Sequence, residues 1–359
     1  MFRSKSKWWV ALAALAVSAM TVPAEAQPYV YVLGYAPSPD ITSQQLNVYN
    51  AATNTRISRI LLGEIQVIFP ESIAMAPDGA LIYVSNHSDH TVSVVSTQSN
   101  TVVATLTASV TGLNPHGVAV SPDSQRLYIS GTESISGQFQ GFLTVVDIPS
   151  RSTITKIPVG FEFAYGVAAS PDGSRVYVVT GAAANAVAVI STATNSVITT
   201  VPLPGAAVGL AVSLSPDGHF AYLPRRPNTS QTPGYVQVLD TTTNTIVATT
   251  TVGISPWHVG VSPNGATVYV PSSESGLVHQ LNPATHASQG ATAVTFALAV
   301  AFLPDSTRAR CPGSSAEWVC RCWFPRQPAR TWPSWTQRRA RSPVNSCGQQ
   351  SAPRDFFVQ

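Results

Sequence analysis

Charged residues and cysteines are scarce in most of this sequence. Asp, Glu, Lys and Arg together make up 10% of the 359 residues. The four cysteines all lie beyond residue 310, at Cys311, Cys320, Cys322 and Cys347. The preceding body therefore needs no disulfide. Cys320 and Cys322 also lack the second cysteine pair that a zinc finger requires.

The signature motifs of several enzyme classes are also missing. The sequence contains no G-x-S-x-G, no H-E-x-x-H and no phosphate-binding loop, the motifs that present a serine nucleophile, a zinc ion or a nucleotide phosphate. No enzymatic nucleophile and no cofactor are predicted from these patterns. The 28 prolines and 23 glycines leave little room for helices.

The charge of the chain is unevenly distributed. Residues 27–307 hold eight basic and fourteen acidic residues, a net charge of −6, whereas residues 308–359 hold nine arginines and two acids, a net charge of +7. An acidic body disfavours nucleic acid as a partner, because the phosphate backbone binds basic surfaces. The overall charge of +3 therefore says little about partners.

The first 26 residues have the pattern of a secretory signal peptide. Basic Arg3, Lys5 and Lys7 precede an apolar run over residues 8–20, and the small-residue pattern Ala-Glu-Ala ends at Ala26. We therefore expect a mature chain that begins at Gln27 and resides in the periplasm or outside the cell. No later run is long and apolar enough to predict a membrane span.

A unit of about 45 residues repeats along the body. Its turn reads APDG at Ala76, SPDS at Ser121, SPDG at Ser170 and Ser215, SPNG at Ser262 and LPDS at Leu303. A tyrosine follows each of the first five turns, at Tyr83, Tyr128, Tyr177, Tyr222 and Tyr269. A second turn of the type STATNS, first seen as NAATNT from Asn50, recurs later in the unit. Periods of this length indicate a repeat architecture.

Each unit predicts four antiparallel β-strands. Pro, Asp and Gly in the first turn, and Asn in the second, supply the backbone angles that close hairpins. The runs between the turns are five to seven residues long and rich in Val, Ile, Thr and Tyr, which favours strands. In the unit around Ser170 the predicted strands a to d cover residues 166–170, 175–180, 186–191 and 196–202. Four strands per unit predict an all-β fold, a β-propeller over residues 27–307.

The stretches GVAASPDGSRVYVVT and AVAVISTATNSVITTV, and HGVAVSPDSQRLYIS one unit earlier, resemble the YVTN-type β-propeller repeat of exported bacterial proteins. The tetrapeptide itself is degenerate here, as in YVSN at Tyr83. The resemblance covers residues 29 to about 307 and implies a propeller in an extracytoplasmic setting. It transfers no catalytic residue, although similar propellers include lactonases and cofactor-carrying dehydrogenase subunits.

The number of blades depends on the end of the body. The chain enters at a strand b near Tyr29, and a sixth strand a is predicted over residues 296–302, which either closes the first blade or begins a seventh. Residues 308–359 then lose every landmark and are expected to form an irregular tail rich in Arg, Cys, Trp and Pro. A shift of the coding frame near Thr307 would explain this break, and a natural basic extension is the alternative.

A binding site is predicted on one face of the propeller. The tight turns share one face, so the longer b–c and d–a loops share the other, here called the loop face. The residue before each strand a should lie at the mouth of the central channel; these residues are Glu71, His116, Tyr165, Val208, Trp257 and Leu298. Of these, Glu71, His116, Tyr165 and Trp257 could bind a planar or sugar-like ligand. Plugging of the channel by the same side chains is the alternative.

We therefore expect a binding scaffold for a protein, a glycan or a small ligand, with a lactonase-like enzyme or a redox subunit as the alternative.

Two further groups of residues on the loop face could bind an ion. His87, Asp89 and His90 are metal-capable but more typical of a solvated loop, so no metal site is predicted. Arg225 and Arg226 could contact an anion, although a solvated pair is the simpler interpretation.

Overall fold

The repeat folds into successive antiparallel sheets that form the blades of a six-bladed β-propeller. The computed structural model describes residues 29–35, 44–50, 53, 55–62, 70–161, 163–181, 185–227, 229, 231–294, 301–302, 309–312 and 319–322. The predicted signal peptide, Leu298 and most of the tail lie outside these residues. For Glu71 only the backbone is described.

Three strands of the first blade are described. They are β1 (Tyr29–Tyr35), β2 (Gln44–Asn50) and β3 (Arg56–Leu61). They pair in the order β1-β2-β3. None of these three strands occupies the position on the other side of β1, where the innermost strand of a blade would pair. The first described strand thus has the place of a strand b, as the sequence predicts.

The second to fifth blades repeat one hairpin-connected order. The second blade contains β4 (Pro70–Met75), β5 (Leu81–Asn86), β6 (Thr91–Ser96) and β7 (Thr101–Leu106). The third contains β8 (Pro115–Val120), β9 (Arg126–Ile135), β10 (Gln138–Asp147) and β11 (Ser152–Phe161). The fourth contains β12 (Ala164–Ala169), β13 (Arg175–Thr180), β14 (Ala186–Ser191) and β15 (Ser196–Pro202). The fifth contains β16 (Ala207–Gly209), β17 (Ser213–Leu214), β18 (Phe220–Pro227), β19 (Pro233–Asp240) and β20 (Thr245–Ile254).

The sixth blade contains β21 (Gly260–Val261), β22 (Val268–Ser272), β23 (Leu277–Leu281) and β24 (Ser288–Ala293). Helix is confined, in the described part of the chain, to a short turn of 3₁₀ helix at His87–Asp89 and α1 (Ala108–Thr111). Neither helix is long and apolar enough to cross a membrane.

A further three-stranded sheet follows the sixth blade. It consists of β25 (Ala301–Phe302), β26 (Ala309–Pro312) and β27 (Val319–Cys322). Within residues 296–302, the described pair Ala301–Phe302 bonds to β26, and no pairing with β1 is described. The tail is irregular, as the sequence predicts, with two short segments in it that pair through their backbones. Backbone pairing of this kind requires no alternation of side chains.

The core lies between the blades. Five of the six described clusters of buried hydrophobic side chains draw on two consecutive blades, as when Tyr177 and Val189 of the fourth blade pack with Leu223 and Leu239 of the fifth. The same arrangement joins the first to the second, second to third, third to fourth and fifth to sixth blades. Burial of apolar surface therefore stabilises the ring of blades as well as each sheet.

The S-P-D-G turns carry a repeated polar bond set. In the fourth blade, the Ser170 hydroxyl donates to Asp172 at 2.5 Å and accepts from the backbone N–H of Arg175 at 2.9 Å. The hydrogen bond from Ser170 is the main cause that lowers the pKa of Asp172 to about 2. Gly173 adopts a left-handed φ of 71°, which glycine tolerates best. These turns fix the register of strands a and b.

Candidate functional site

Two of the predicted channel-mouth residues contact each other. His116 lies at the start of β8 and Tyr165 at the start of β12, and their ring centroids are 5.1 Å apart in an edge arrangement. The His116 side chain is buried, and Tyr165 is partly buried. The alignment of repeat units thus brings these two positions together in neighbouring blades.

Serine side chains hold the backbones of His116 and Tyr165 to the preceding blade. The Ser85 hydroxyl donates to the carbonyl of His116 at 2.6 Å, and the Ser130 hydroxyl donates to the carbonyl of Tyr165. Both serines stand two residues after the repeated tyrosine, where the next blade has Val179. A serine at this position is therefore a sequence signal that the residue before strand a of the next blade is held in place. The alignment, which used only the turns, missed this signal.

The close approach of these strands requires Gly117. Its backbone N–H donates to the Ser130 hydroxyl at 2.9 Å. A Cβ atom on Gly117 would lie 2.5 Å from the carbonyl oxygen of Tyr165 and 2.7 Å from the Ser130 hydroxyl. Both distances are shorter than van der Waals contact, so no other residue fits without a shift of the backbone.

Further rings extend the His116–Tyr165 pair into a row. The centroid of His87 lies 4.5 Å from that of His116, and Phe163 stacks on Tyr165 at 5.7 Å with an interplanar angle of 18°. Phe139 stacks on Phe163 at 5.1 Å. We call these five residues the aromatic row. Exposure increases from 5% at His116 to 49% at Phe139, so the row ends in an exposed aromatic side chain beside a buried interior.

The predicted mouth residues do not all belong to this row. Trp257 contacts the guanidinium of Arg226, which lies 4.8 Å from the ring centroid, and Arg226 is 4.0 Å from the carboxylate of Glu274. No ring contact joins Trp257 to the aromatic row among the described side chains. Val208 lies in β16 and Glu71 in β4. The structure therefore places Trp257 in a separate cation–π cluster.

The three metal-capable residues of the loop after β5 do not converge. His87 faces His116, and His90 accepts a hydrogen bond from the backbone of Asn114 at its Nδ1 atom, at 3.2 Å. Burial raises the pKa of Asp89. In the described part of the chain, no three His, Cys, Asp or Glu side chains are grouped to hold a metal ion.

The arginine pair of β18 differs from the expected solvated pair. Arg226 is partly exposed, whereas Arg225 has no exposed surface. Alternate residues of a strand point to opposite faces, so Arg225 faces the fourth blade and Arg226 the sixth. The expectation is therefore wrong for Arg225. This residue lies on the same face of β18 as the buried residues Ala221 and Leu223.

Sequence reasoning missed the two phenylalanines of the aromatic row. Phe163 lies in the segment FEFAYG, directly before β12, and Phe139 in GQFQG at the start of β10. Aromatic residues in segments that are polar or lack a strand pattern were the sequence signal that could have identified them. Their stacking depends on how the long hairpin of β9 and β10 approaches the fourth blade, which no local pattern specifies.

Comparison with known proteins supports the fold and transfers no function. No protein-family model and no curated protein matches the chain. Among solved structures, hydrazine synthase of Kuenenia stuttgartiensis is similar, with a TM-score of 0.66 and 17% sequence identity over 78% of this chain and 91% of that one. Since 1359 solved chains match in this way, the likeness is that of a widespread fold. The chain is a β-propeller, and its similarity to the YVTN-type repeat stays a resemblance in sequence.

Proposed function

We propose that this protein binds a glycan on the loop face, with sugar rings stacking on the aromatic row. The observation that supports the proposal is the continuous series of ring contacts from buried His116 to half-exposed Phe139. The hydrophobic faces of sugar rings, lined with C–H groups, pack well on aromatic faces. Tyr165 and His116 add polar atoms that can orient hydroxyl groups.

The position of the aromatic row also suits a binding role. Its residues come from the second, third and fourth blades, so the blade interfaces hold them in place. The serine bonds to the backbones of His116 and Tyr165 fix the two inner positions. A preorganised surface of this kind loses little conformational entropy when a ligand binds.

Removal of Phe163 is expected to weaken glycan binding about twofold to tenfold, since aromatic pairs contribute about 0.5–1.5 kcal/mol beyond the area they bury and about 1.4 kcal/mol is a factor of ten. Affinities of the parent and of Phe163→Ala for soluble cello-, chito- and malto-oligosaccharides are measured by titration calorimetry. Ile135→Ala, which removes an exposed apolar side chain at the tip of the neighbouring hairpin, is the matched control and should bind as the parent does.

His116→Ala and Trp257→Ala distinguish the aromatic row from a ring around the whole channel mouth. The row predicts that only His116→Ala weakens binding. An equal loss in Trp257→Ala would instead favour the full ring. If no oligosaccharide binds the parent, or if Phe163→Ala binds equally well, the glycan proposal is wrong.

An enzymatic role is the second candidate. The observation that favours it is the close pair of His87 and His116 at the inner end of the aromatic row, because histidine is the commonest general acid or base. The solved neighbour is a hydrazine synthase, and that activity is a property of the neighbour. Turnover of a bound oligosaccharide, abolished in His116→Ala, would establish catalysis; binding without turnover supports the scaffold.

The proposed setting is extracytoplasmic, and this part of the proposal depends on residues 1–26 of the sequence. Expression in a bacterial host with an export pathway should give a periplasmic or secreted chain cleaved after Ala26. Mass spectrometry of the purified protein should find Gln27 at its N-terminus. A cytoplasmic product that retains Met1 would contradict export.

A further inference from the structure

Arg225 is a charged side chain enclosed between the fourth and fifth blades. Its Nη2 atom donates to Oδ1 of Asn185 at 3.0 Å and to the carbonyl of Ala207 at 2.5 Å. The Nε and Nη1 atoms are buried and have no hydrogen-bond partner in the part of the chain that the structure describes. By geometry these two nitrogens have no acceptor among the described residues, and a side-chain hydrogen bond with Tyr235 is only the last of the causes that act on the pKa of Arg225.

The repeat does not require an arginine at this position. Arg225 stands three residues after the repeated tyrosine of its blade. The corresponding residues of four other blades are Asn86, Gly131, Thr180 and Ser272. All four residues are uncharged and smaller than arginine, so a blade forms without a cation at this position. This departure from the repeat points to a role outside folding.

The surrounding backbone accommodates Arg225 and its cross-strand neighbour Tyr235. The two residues are register partners in β18 and β19. A Cβ atom on Gly209 would lie 2.6 Å from Nη1 of Arg225, and one on Gly205 would lie 2.3 Å from the Tyr235 hydroxyl. Glycine at both places allows the chain to pass directly over these two polar groups.

No carboxylate balances the charge of Arg225 among the described residues. The described ion pairs are Lys156 with Glu133 and Arg226 with Glu274. Residues 182–184, which precede Asn185, are three alanines and carry no charge. Burial lowers the pKa of Arg225, and Tyr235 acts in the opposite direction. A buried cation without a counter-ion is destabilising, and an anion beside it would relieve that cost.

We propose that Arg225 and Tyr235 form a binding site for the carboxylate of a small organic acid, which replaces Asn185 as an acceptor of Arg225. One guanidinium beside a phenol matches a single negative charge with two acceptor oxygens, one for Nη2 in place of Asn185 and one for the unpaired Nη1. Because Arg225 is enclosed, the carboxylate must replace an existing acceptor. The Oδ1 atom of Asn185 is the one that can leave, since Asn185 is partly exposed. A charged acceptor then replaces a neutral one, which strengthens the hydrogen bond.

This site is independent of the glycan proposal, because none of its residues belongs to the aromatic row. Thermal unfolding of the full chain is measured in sodium acetate and sodium succinate, with sodium chloride at equal ionic strength as reference. Saturating carboxylate should raise the melting temperature by about 2–4 °C or more, through preferential binding to the folded state.

Three variants test the assignment. Asn185→Asp places a carboxylate beside Arg225, so its melting temperature in chloride should exceed that of the parent and should no longer respond to acetate. Arg225→Thr, which copies the residue of the fourth blade, should also lose the response. Arg226→Met should keep it, because Arg226 faces the sixth blade.

Two results would overturn the proposal. The first is a parent chain that responds equally to acetate and chloride. The second is an Asn185→Asp variant that responds to acetate as the parent does. A larger response to phosphate than to acetate would overturn the assignment to a carboxylate.

Discussion

Replacing Tyr222 by alanine should lower the free energy of unfolding by about 3–5 kcal/mol, the range for removal of a large aromatic side chain from a core. Tyr222 has no exposed surface and packs with Val238, Val259 and Val270 at the interface between the fifth and sixth blades. Alanine would leave a cavity at this interface. Urea unfolding followed by circular dichroism measures the loss.

Tyr222→Phe is the matched control, because it removes the hydroxyl and keeps the ring. The hydroxyl is buried and has no hydrogen-bond partner in the described structure. Burial, followed by the charge of Asp217, raises the pKa of Tyr222 to about 12, so the group is neutral at ordinary pH. We expect Tyr222→Phe to be as stable as the parent or more so. A loss as large as that of the alanine variant would show that the hydroxyl, and not the ring, supports the interface.

The sequence predicted the blade architecture closely because local chemistry determines it. In the fourth blade, the predicted strands 175–180, 186–191 and 196–202 coincide with β13, β14 and β15. Turn residues with fixed backbone preferences bound each strand, so register follows from the turns. The innermost strand was predicted two residues late at its start, since β12 begins at Ala164. Its beginning lies in a longer loop without a turn signal.

The candidate site was predicted only in part, because it depends on contacts between blades. Alignment of the repeats gave His116 and Tyr165 equivalent positions in neighbouring blades, and the structure shows their rings in contact. It also grouped Trp257 with them, although Trp257 contacts Arg226 instead. Contacts of this kind depend on loop conformation, and loops differ from unit to unit in length and composition.

Arg225 shows a second limit of sequence reasoning. Two adjacent arginines in a loop-rich region are typical of a solvated pair, since arginine is almost never fully buried without a partner. Strand alternation makes the two inequivalent, and the interface with the fourth blade then encloses Arg225. Only the extension of β18 to Pro227 brings Arg225 within the sheet. That extension was not predicted, because the sequence PRRPNTSQTPG is typical of a loop.

The second large effect is expected from Gly117→Ala, which should lower the free energy of unfolding by about 1–3 kcal/mol, as other overpacked sites do. The added methyl group would lie 2.5 Å from the Tyr165 carbonyl oxygen and 2.7 Å from the Ser130 hydroxyl. The third and fourth blades must separate to relieve this overlap. Because His116 and Tyr165 stand on the two strands involved, glycan affinity should also fall about tenfold if the aromatic row is the binding site.

A double-mutant cycle with Ser130→Ala separates steric overlap from general damage to the strand. Ser130→Ala alone should cost about 1–2 kcal/mol, because it removes the hydrogen bonds to Tyr165 and Gly117. The combined variant should lose less stability than the sum of the two single losses, since the hydroxyl that the new methyl group would overlap is already gone. Additive losses, measured by urea unfolding, would show that the two residues are not coupled. In that case the close approach of the two blades at Gly117 would not be what positions His116 against Tyr165.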